Sequence, residues 1–300
     1  MKRWHAWAAA VMVLTSPAFV AARKGPGPAG LPALLERVGT RVERYYARAR
    51  TVLCTETVRL QPLDFDWTPR GFARRIIDEL RIEWHPPGSG GAGRARVRRR
   101  ILSINGRPPG AAGSDGDEAC MDPRLVSPEP LEFLLPSRRG EYTFTWAGTG
   151  RLDGRLAAKV DYRPVRFKPP SVVWKGDCVS VDVPGQERGR VWVDLASGDV
   201  LRLDQHLAGR FDFDVPPKKW RIGAPTWMEI ERSDSSIRYE PVTFHHPDET
   251  LMLPASIDSL QVVRNAGVPR LRTWQAFTKY RRFLTSGKLV IPESPRVPPR

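Results

Sequence analysis

Gly189-Arg190-Val191-Trp192-Val193-Asp194-Leu195-Ala196-Ser197-Gly198-Asp199-Val200-Leu201-Arg202-Leu203-Asp204 is the stretch whose reading decides the fold. Val191 and Val193 alternate with Arg190, Trp192 and Asp194. Past the turn, Leu201 and Leu203 alternate with Val200, Arg202 and Asp204. A period of two puts one set of side chains on each face of a sheet. Asp194 and Ser197 stand where their oxygens can accept local backbone N–H groups. Gly198 supplies the positive φ that a bulged hairpin loop requires. Weaker hairpin signals recur from about residue 75 to 285, so the spacing predicts one large antiparallel sheet.

Upstream of the sheet the period changes. Leu31, Leu34, Leu35, Val38, Val42, Tyr45 and Ala49 recur at helical spacing, with Glu36, Arg37, Arg41, Glu43 and Arg44 between them. That pattern predicts an amphipathic helix over 31–50 that lays one stripe on an apolar surface. Strands are predicted over 52–60, 76–84 and 94–104. The last places Arg94, Arg96, Arg98 and Arg100 on one face, which must look into solvent or at an anion. Residues 128–135 read as a short helix with proline in its first turn. Tyr142, Phe144 and Trp146 alternate with Thr143 and Thr145, giving a strand with one aromatic face. Residues 148–154 read as a turn. Their glycine spacing and the strands that follow exclude a dinucleotide fingerprint. Strands then follow over 156–162 and 172–183. Residues 211–225 read as a loop or lid. Segments 227–232 and 237–244 read as either a hairpin or one long bulged strand. Leu251 to Ile257 leads into 260–265, and Ala266-Gly267 turns the chain into a last strand over 271–283.

Residues 1–22 have the form of a secretory signal: Lys2 and Arg3, an apolar run broken by Pro17, then the small residues Val20-Ala21-Ala22. No cysteine follows the small residues, so no lipoprotein anchor is expected. The domain reading is a signal peptide at 1–22, a disordered leader at 23–30, one half-barrel domain at 31–285, and a basic, proline-rich, disordered tail at 286–300. The formal net charge is +15, mostly from arginines spread along the chain. A basic exported protein fits anionic headgroups, acidic polymers or an envelope protein as partners. Export argues against nucleic acid.

Three cysteines, Cys54, Cys120 and Cys178, cannot all pair within one chain. We favour Cys120 with Cys178, because the polar run 114–118 before Cys120 reads as a mobile loop that a staple would tie to the sheet. Cys54 is then a buried thiol. No zinc motif, nucleophile elbow or phosphate loop is present. His245-His246-Pro247-Asp248-Glu249 reads as a polar turn before a metal site. Asp64 with Asp66, and Glu229 with Glu231, read as ordinary surface carboxylates before a glycosidase pair. No catalytic residue, metal ligand or cofactor is assigned.

The hairpin 189–202, the later Leu251-Met252-Leu253-Pro254-Ala255-Ser256, and Tyr280-Arg281-Arg282-Phe283 together resemble pieces of periplasmic lipoprotein-carrier proteins of the LolA/LolB type. Cys54-Thr55-Glu56-Thr57-Val58, Cys120 to Pro123 and Tyr142 to Trp146 are similar to pieces of uncharacterised exported bacterial proteins. The resemblance implies an α+β, mainly antiparallel fold: an unclosed, curved β half-barrel whose concave side is plugged by an N-terminal amphipathic helix and short helices. It also implies a cavity for acyl chains, each buried methylene contributing about 0.8 kcal/mol. The expected function is non-enzymatic binding of a lipid, acylated or other apolar ligand, with Tyr142, Phe144, Trp146, Val191, Val193, Leu201 and Leu203 lining the cavity. The alternative is an envelope interaction module whose core is filled by its own side chains, with no ligand. The long Arg/Gly-rich insertion over 88–122 has no counterpart in such carriers.

Overall fold

The alternation in the hairpin becomes a sheet with two unlike faces. Val191, Val193 and Leu203 enter the core and Leu201 is buried beside it, while Arg190, Trp192, Arg202 and Asp204 are half-buried; Val200, expected on the face of Arg202, is brought opposite Val193 by a bulge and joins the core. The computed structural model describes residues 27–49, 52–85, 94–109, 130–168, 170–175, 178–183, 186–219, 223–245, 248–283 and 289–290. One helix, α1 (Leu31–Ala49), opens this part of the chain. The first strands are β1 (Val52–Pro62), β2 (Arg74–His85), β3 (Arg94–Ile104), β4 (Tyr142–Leu152) and β5 (Arg155–Pro164). A small hairpin follows, β6 (Ser171–Lys175) with β7 (Cys178–Asp182), as a separate two-stranded sheet. Then come β8 (Glu187–Asp194), β9 (Val200–Leu207), β10 (Phe211–Asp214), β11 (Trp227–Phe244), β12 (Glu249–Arg264), β13 (Arg270–Phe283) and β14 (Leu289–Val290).

The main sheet is antiparallel and runs β3-β2-β1-β13-β12-β11-β9-β8-β5-β4, with β10 on β11 and β14 on β13. β3 and β4 are its two ends and do not pair with each other, so it is an unclosed half-barrel. This is the fold class expected from the sequence. The decisive hairpin is β8–β9. Asp194 Oδ1 accepts the N–H groups of Ala196 (2.7 Å) and Ser197 (3.1 Å), and Gly198 sits at φ 77°. Only glycine adopts that φ without cost.

The turn also anchors α1. Arg37 donates to Leu195 O and Arg41 to Ser197 O (3.0 Å), and Arg41 faces Asp199 at 3.8 Å. Leu34, Val38, Val42, Tyr45 and Tyr46 form the helix stripe. They pack on Val52, Leu80, Val160, Val191, Leu203, Ile237, Leu253, Ile257 and Phe277, side chains from strands across the sheet. A 3-10 turn at Leu131–Leu134, where a short helix was expected, adds Leu131, Phe133 and Leu134 to the same core.

Several boundaries differ from the expectation for physical reasons. The predicted turn at 148–154 is narrower: β4 runs on through a bulge at Gly148, and the chain reverses at Asp153-Gly154, both at positive φ. Residues 172–183 form a hairpin rather than one strand. Residues 211–225 begin with β10, whose pairing with β11 overrides a proline-rich composition. Segments 227–232 and 237–244 are one bulged strand. Pro28–Gly30 form a 3-10 turn into α1. Residues 1–22, Cys120, His246 and all of the tail save 289–290 lie outside the described residues, as does the Cys178 side chain. Among the described residues, no helix is long and apolar enough to cross a membrane.

Candidate functional site

A strongly twisted sheet is saddle-shaped and offers a hollow on each face. The hollow on the apolar face is filled by α1 and the 3-10 turn. The hollow on the opposite face is open and has a volume of about 980 Å³. Its wall takes side chains from eight consecutive strands, from Arg59 on β1 to Thr143 and Thr145 on β4. Laid flat, eight strands would span roughly 34 Å. One recess can be bounded by both sides only because the sheet curls.

Strand alternation determines what lines it. Every second residue of the hairpin faces this way, so Arg190, Arg202 and Asp204 join the wall. In all, seven arginines and four aspartates line it, with Trp67 and Trp274. The acids are matched to neighbouring cations. Arg190 makes a two-pronged pair with Asp161 (2.6 and 3.0 Å), and Arg272 does the same with Asp258 (3.2 and 2.8 Å). Hydrogen bonding to those carboxylates raises both guanidinium pKa values further. Arg202 binds Asp204 (2.7 Å), and Arg232 binds Asp234. The Trp274 ring is held between the guanidinium groups of Arg59 (5.1 Å) and Arg272 (4.6 Å). Arg163 and Arg188 are exposed, lie one step beyond the Tyr162–Gly189 pair, and have no ion-pair partner among the described residues. Like charges on neighbouring strands repel each other. The wall therefore keeps an uncompensated positive side.

His206 Nδ1 lies 3.0 Å from Asp234 Oδ1. Among the described residues no serine or cysteine completes this pair at hydrogen-bond distance, although Ser235 and Ser236 follow Asp234. His245 contacts Asp248 in the same way, at 3.0 Å on a turn. The other carboxylates singled out earlier have local roles. Asp66 accepts the Thr68 hydroxyl and N–H, which holds its pKa down, and Glu229 and Glu231 both engage Arg264. No group of three or more metal-ligating side chains occurs among the described residues.

None of the seven side chains expected to line an apolar cavity lines the open recess. Val191, Val193 and Leu203 are in the packed core. Leu201 is buried beside it, and Tyr142, Phe144 and Trp146 close its edge. Phe133 stacks on Tyr162 at 4.1 Å and lies 5.5 Å from Tyr142, filling the space an acyl chain would need. Sequence reasoning placed the site on the apolar set, whereas the structure opens the charged set. The recess takes the alternate register of the same hairpin, in which arginine and aspartate recur.

No family model matches the chain, and no curated protein matches it. Similar solved structures exist at low identity. A DUF1329 family protein from Desulfovibrio piger shares 10% identity over 87% of this chain and 95% of its own, with a TM-score of 0.39. A domain assigned to outer membrane lipoprotein sorting, from Vibrio parahaemolyticus, shares 11% over 84% and 92%, with a TM-score of 0.37. A LolA superfamily protein from Nitrosomonas europaea shares 9% over 85% and 94%, with a TM-score of 0.31. At these scores the strand order, not the likeness, remains the ground for the fold.

Proposed function

We propose that this is an exported, non-enzymatic binding protein of the cell envelope that holds a polar, negatively charged ligand on the open face of a half-barrel. One observation carries the reading: the apolar hollow is already occupied by α1, and the hollow left open is lined by seven arginines against four aspartates. Its volume is within the range of small-molecule sites. Arginine forks suit carboxylate or phosphate groups, and the flat faces of Trp67 and Trp274 suit rings. Export rests on residues 1–22.

Native mass spectrometry of protein purified from a periplasm tests this. We expect a co-purifying polar anion that disappears in the Arg163→Glu, Arg188→Glu double variant. No adduct, or one indifferent to that change, overturns the reading.

A second reading retains the apolar ligand expected from sequence. It is favoured by a smaller hollow of about 290 Å³ on the core face, lined by Leu60, Pro62, Phe72, Val263, Val268 and Leu271, with Arg74 and Gln261 at its margin. The seven residues of the larger apolar set would join it only if α1 moved away. A lipid adduct lost on Leu271→Glu would support this reading.

A further inference from the structure

We propose that one end of the sheet, built by residues 63–75 and 265–270, docks the protein onto an anionic bilayer surface. This rests on the export reading but not on the recess ligand.

The end is assembled by register. Pro62 closes β1 opposite Leu271, Leu63 N donates to Arg270 O (3.0 Å), and Asn265 Nδ2 donates to Trp227 O (3.2 Å). The β1–β2 connection, the β12–β13 connection and the start of β11 therefore lie side by side. Five of the ten exposed large apolar side chains among the described residues are gathered here: Phe65, Trp67, Phe72, Trp227 and Val268. Phe72 is 100% exposed and Phe65 81%.

These aromatics are not on a loose loop. Asp64 N donates to Thr68 O (2.9 Å), Trp67 N to Asp64 O (3.1 Å), and Arg70 N to Pro62 O (2.8 Å). Gln61 Nε2 points into the same turn at Pro62 O (3.1 Å). Trp67 is held at φ 69°, a conformation a bulky residue avoids. A small, hydrogen-bonded hairpin that spends backbone strain to hold aromatic rings in water calls for something that removes them from water.

The charge around the rings selects the partner. The Arg270 guanidinium lies 4.6 Å from the Phe65 ring and 5.1 Å from that of Trp67. Arg70, Arg74, Arg75 and Arg107 stand in or beside the segments that build this end, with Asp64 and Asp66 among them, and Arg70 faces Asp64 at 3.9 Å. Arg264 at the same end is engaged by Glu229 and Glu231. Aromatic tips beside arginines match a bilayer interface, where rings enter the headgroup layer and guanidinium groups meet lipid phosphates.

The test is co-sedimentation of the exported protein, purified from a periplasm, with vesicles of phosphatidylcholine alone or enriched in phosphatidylglycerol. Binding is expected to the enriched vesicles, weaker to the neutral ones, and reduced by salt. Phe65→Ser with Phe72→Ser should lower partitioning by about tenfold or more, since a Phe withdrawn from water contributes roughly that much. Its Tm should stay at the wild-type value, because both rings are exposed in the free protein. Arg70→Gln with Arg270→Gln should abolish the preference for the anionic vesicles. Arg163→Glu with Arg188→Glu, in the recess, should leave the aromatic contribution to partitioning in place, which separates this proposal from the ligand reading. Equal partitioning of wild type and the phenylalanine variant overturns it, as does no binding to either vesicle. So does loss of binding to an envelope protein, rather than to lipid, in that variant.

Discussion

The two faces of the β8–β9 hairpin differ by one residue of register and by everything else. On one, Val191, Val193, Val200 and Leu203 belong to the core that a helix completes and are sealed. On the other, Arg190, Arg202 and Asp204 line a hollow of about 980 Å³. Alternation alone assigns residues to faces. Which face is left open is decided by what covers the other, here a helix about 150 residues away in sequence. An apolar face is therefore a poor guide to a ligand site unless its cover is also known.

That contrast can be broken from the sealed side first. Tyr46→Ala removes a ring that is fully buried where α1 meets the sheet. It should cost about 3–5 kcal/mol, read as a lower urea midpoint at unchanged slope. Arg99→Ala is next. It leaves the Glu56 carboxylate, 0% exposed, with the Gln275 amide (2.6 Å) but without its cation (2.5 Å). The expected loss is about 3 kcal/mol in the same measurement. Gly189→Ala probes the boundary between the faces: a Cβ there would stand 1.9 Å from the Asp204 carbonyl oxygen. It should cost about 1–3 kcal/mol and disturb the recess wall.

The open side sharpens the comparison through smaller numbers. Arg272→Gln breaks a solvent-exposed pair and should change stability by less than about 1 kcal/mol, while weakening ligand binding in the mass-spectrometric assay. A stability loss as large as that of Tyr46→Ala would mean the charged wall is structural. The smallest effect is confined to alkaline pH. Burial raises the Tyr162 phenol above its ordinary value of 10.0. Gln205 is the side chain beside its hydroxyl, and Gln205 Nε2 donates to Glu187 at 3.0 Å. A raised folded value means that the contribution is complete below about pH 10 and is lost as pH climbs through the folded value. Tyr162→Phe should remove that alkaline loss and leave neutral stability unchanged.

What the sequence made legible was local. The Asp194–Gly198 turn, the α1 stripe and most strands follow from spacings of a few residues, and they stand where the pattern put them. The strand order was not legible in the same way. β1 pairs with β13 across more than 200 residues, and no periodicity encodes a partner at that distance. β10 was hidden because its four residues sit among prolines and lysines, and only β11 makes them a strand. Tyr46 was passed over in favour of Tyr45, since helical spacing cannot say which of two adjacent rings turns fully inward. Of the arginine-rich strand, Arg98 and Arg100 are exposed as expected, with Arg100 on Glu79 (3.1 Å). Arg99, between them, reaches inward to Glu56. The open recess escaped for the same reason as the strand order: its arginines and aspartates are neighbours only once the sheet is assembled.

Arg99 stands on β3, the terminal strand, and its carboxylate partner stands on β1, two strands in. The guanidinium thus acts as a clasp thrown across β2. Were it to open, β3 could peel away and bare the backbone donors and acceptors of β2 to other molecules, the usual beginning of strand-to-strand polymerisation. A single charged contact at the margin therefore helps to hold the terminal strand against the sheet.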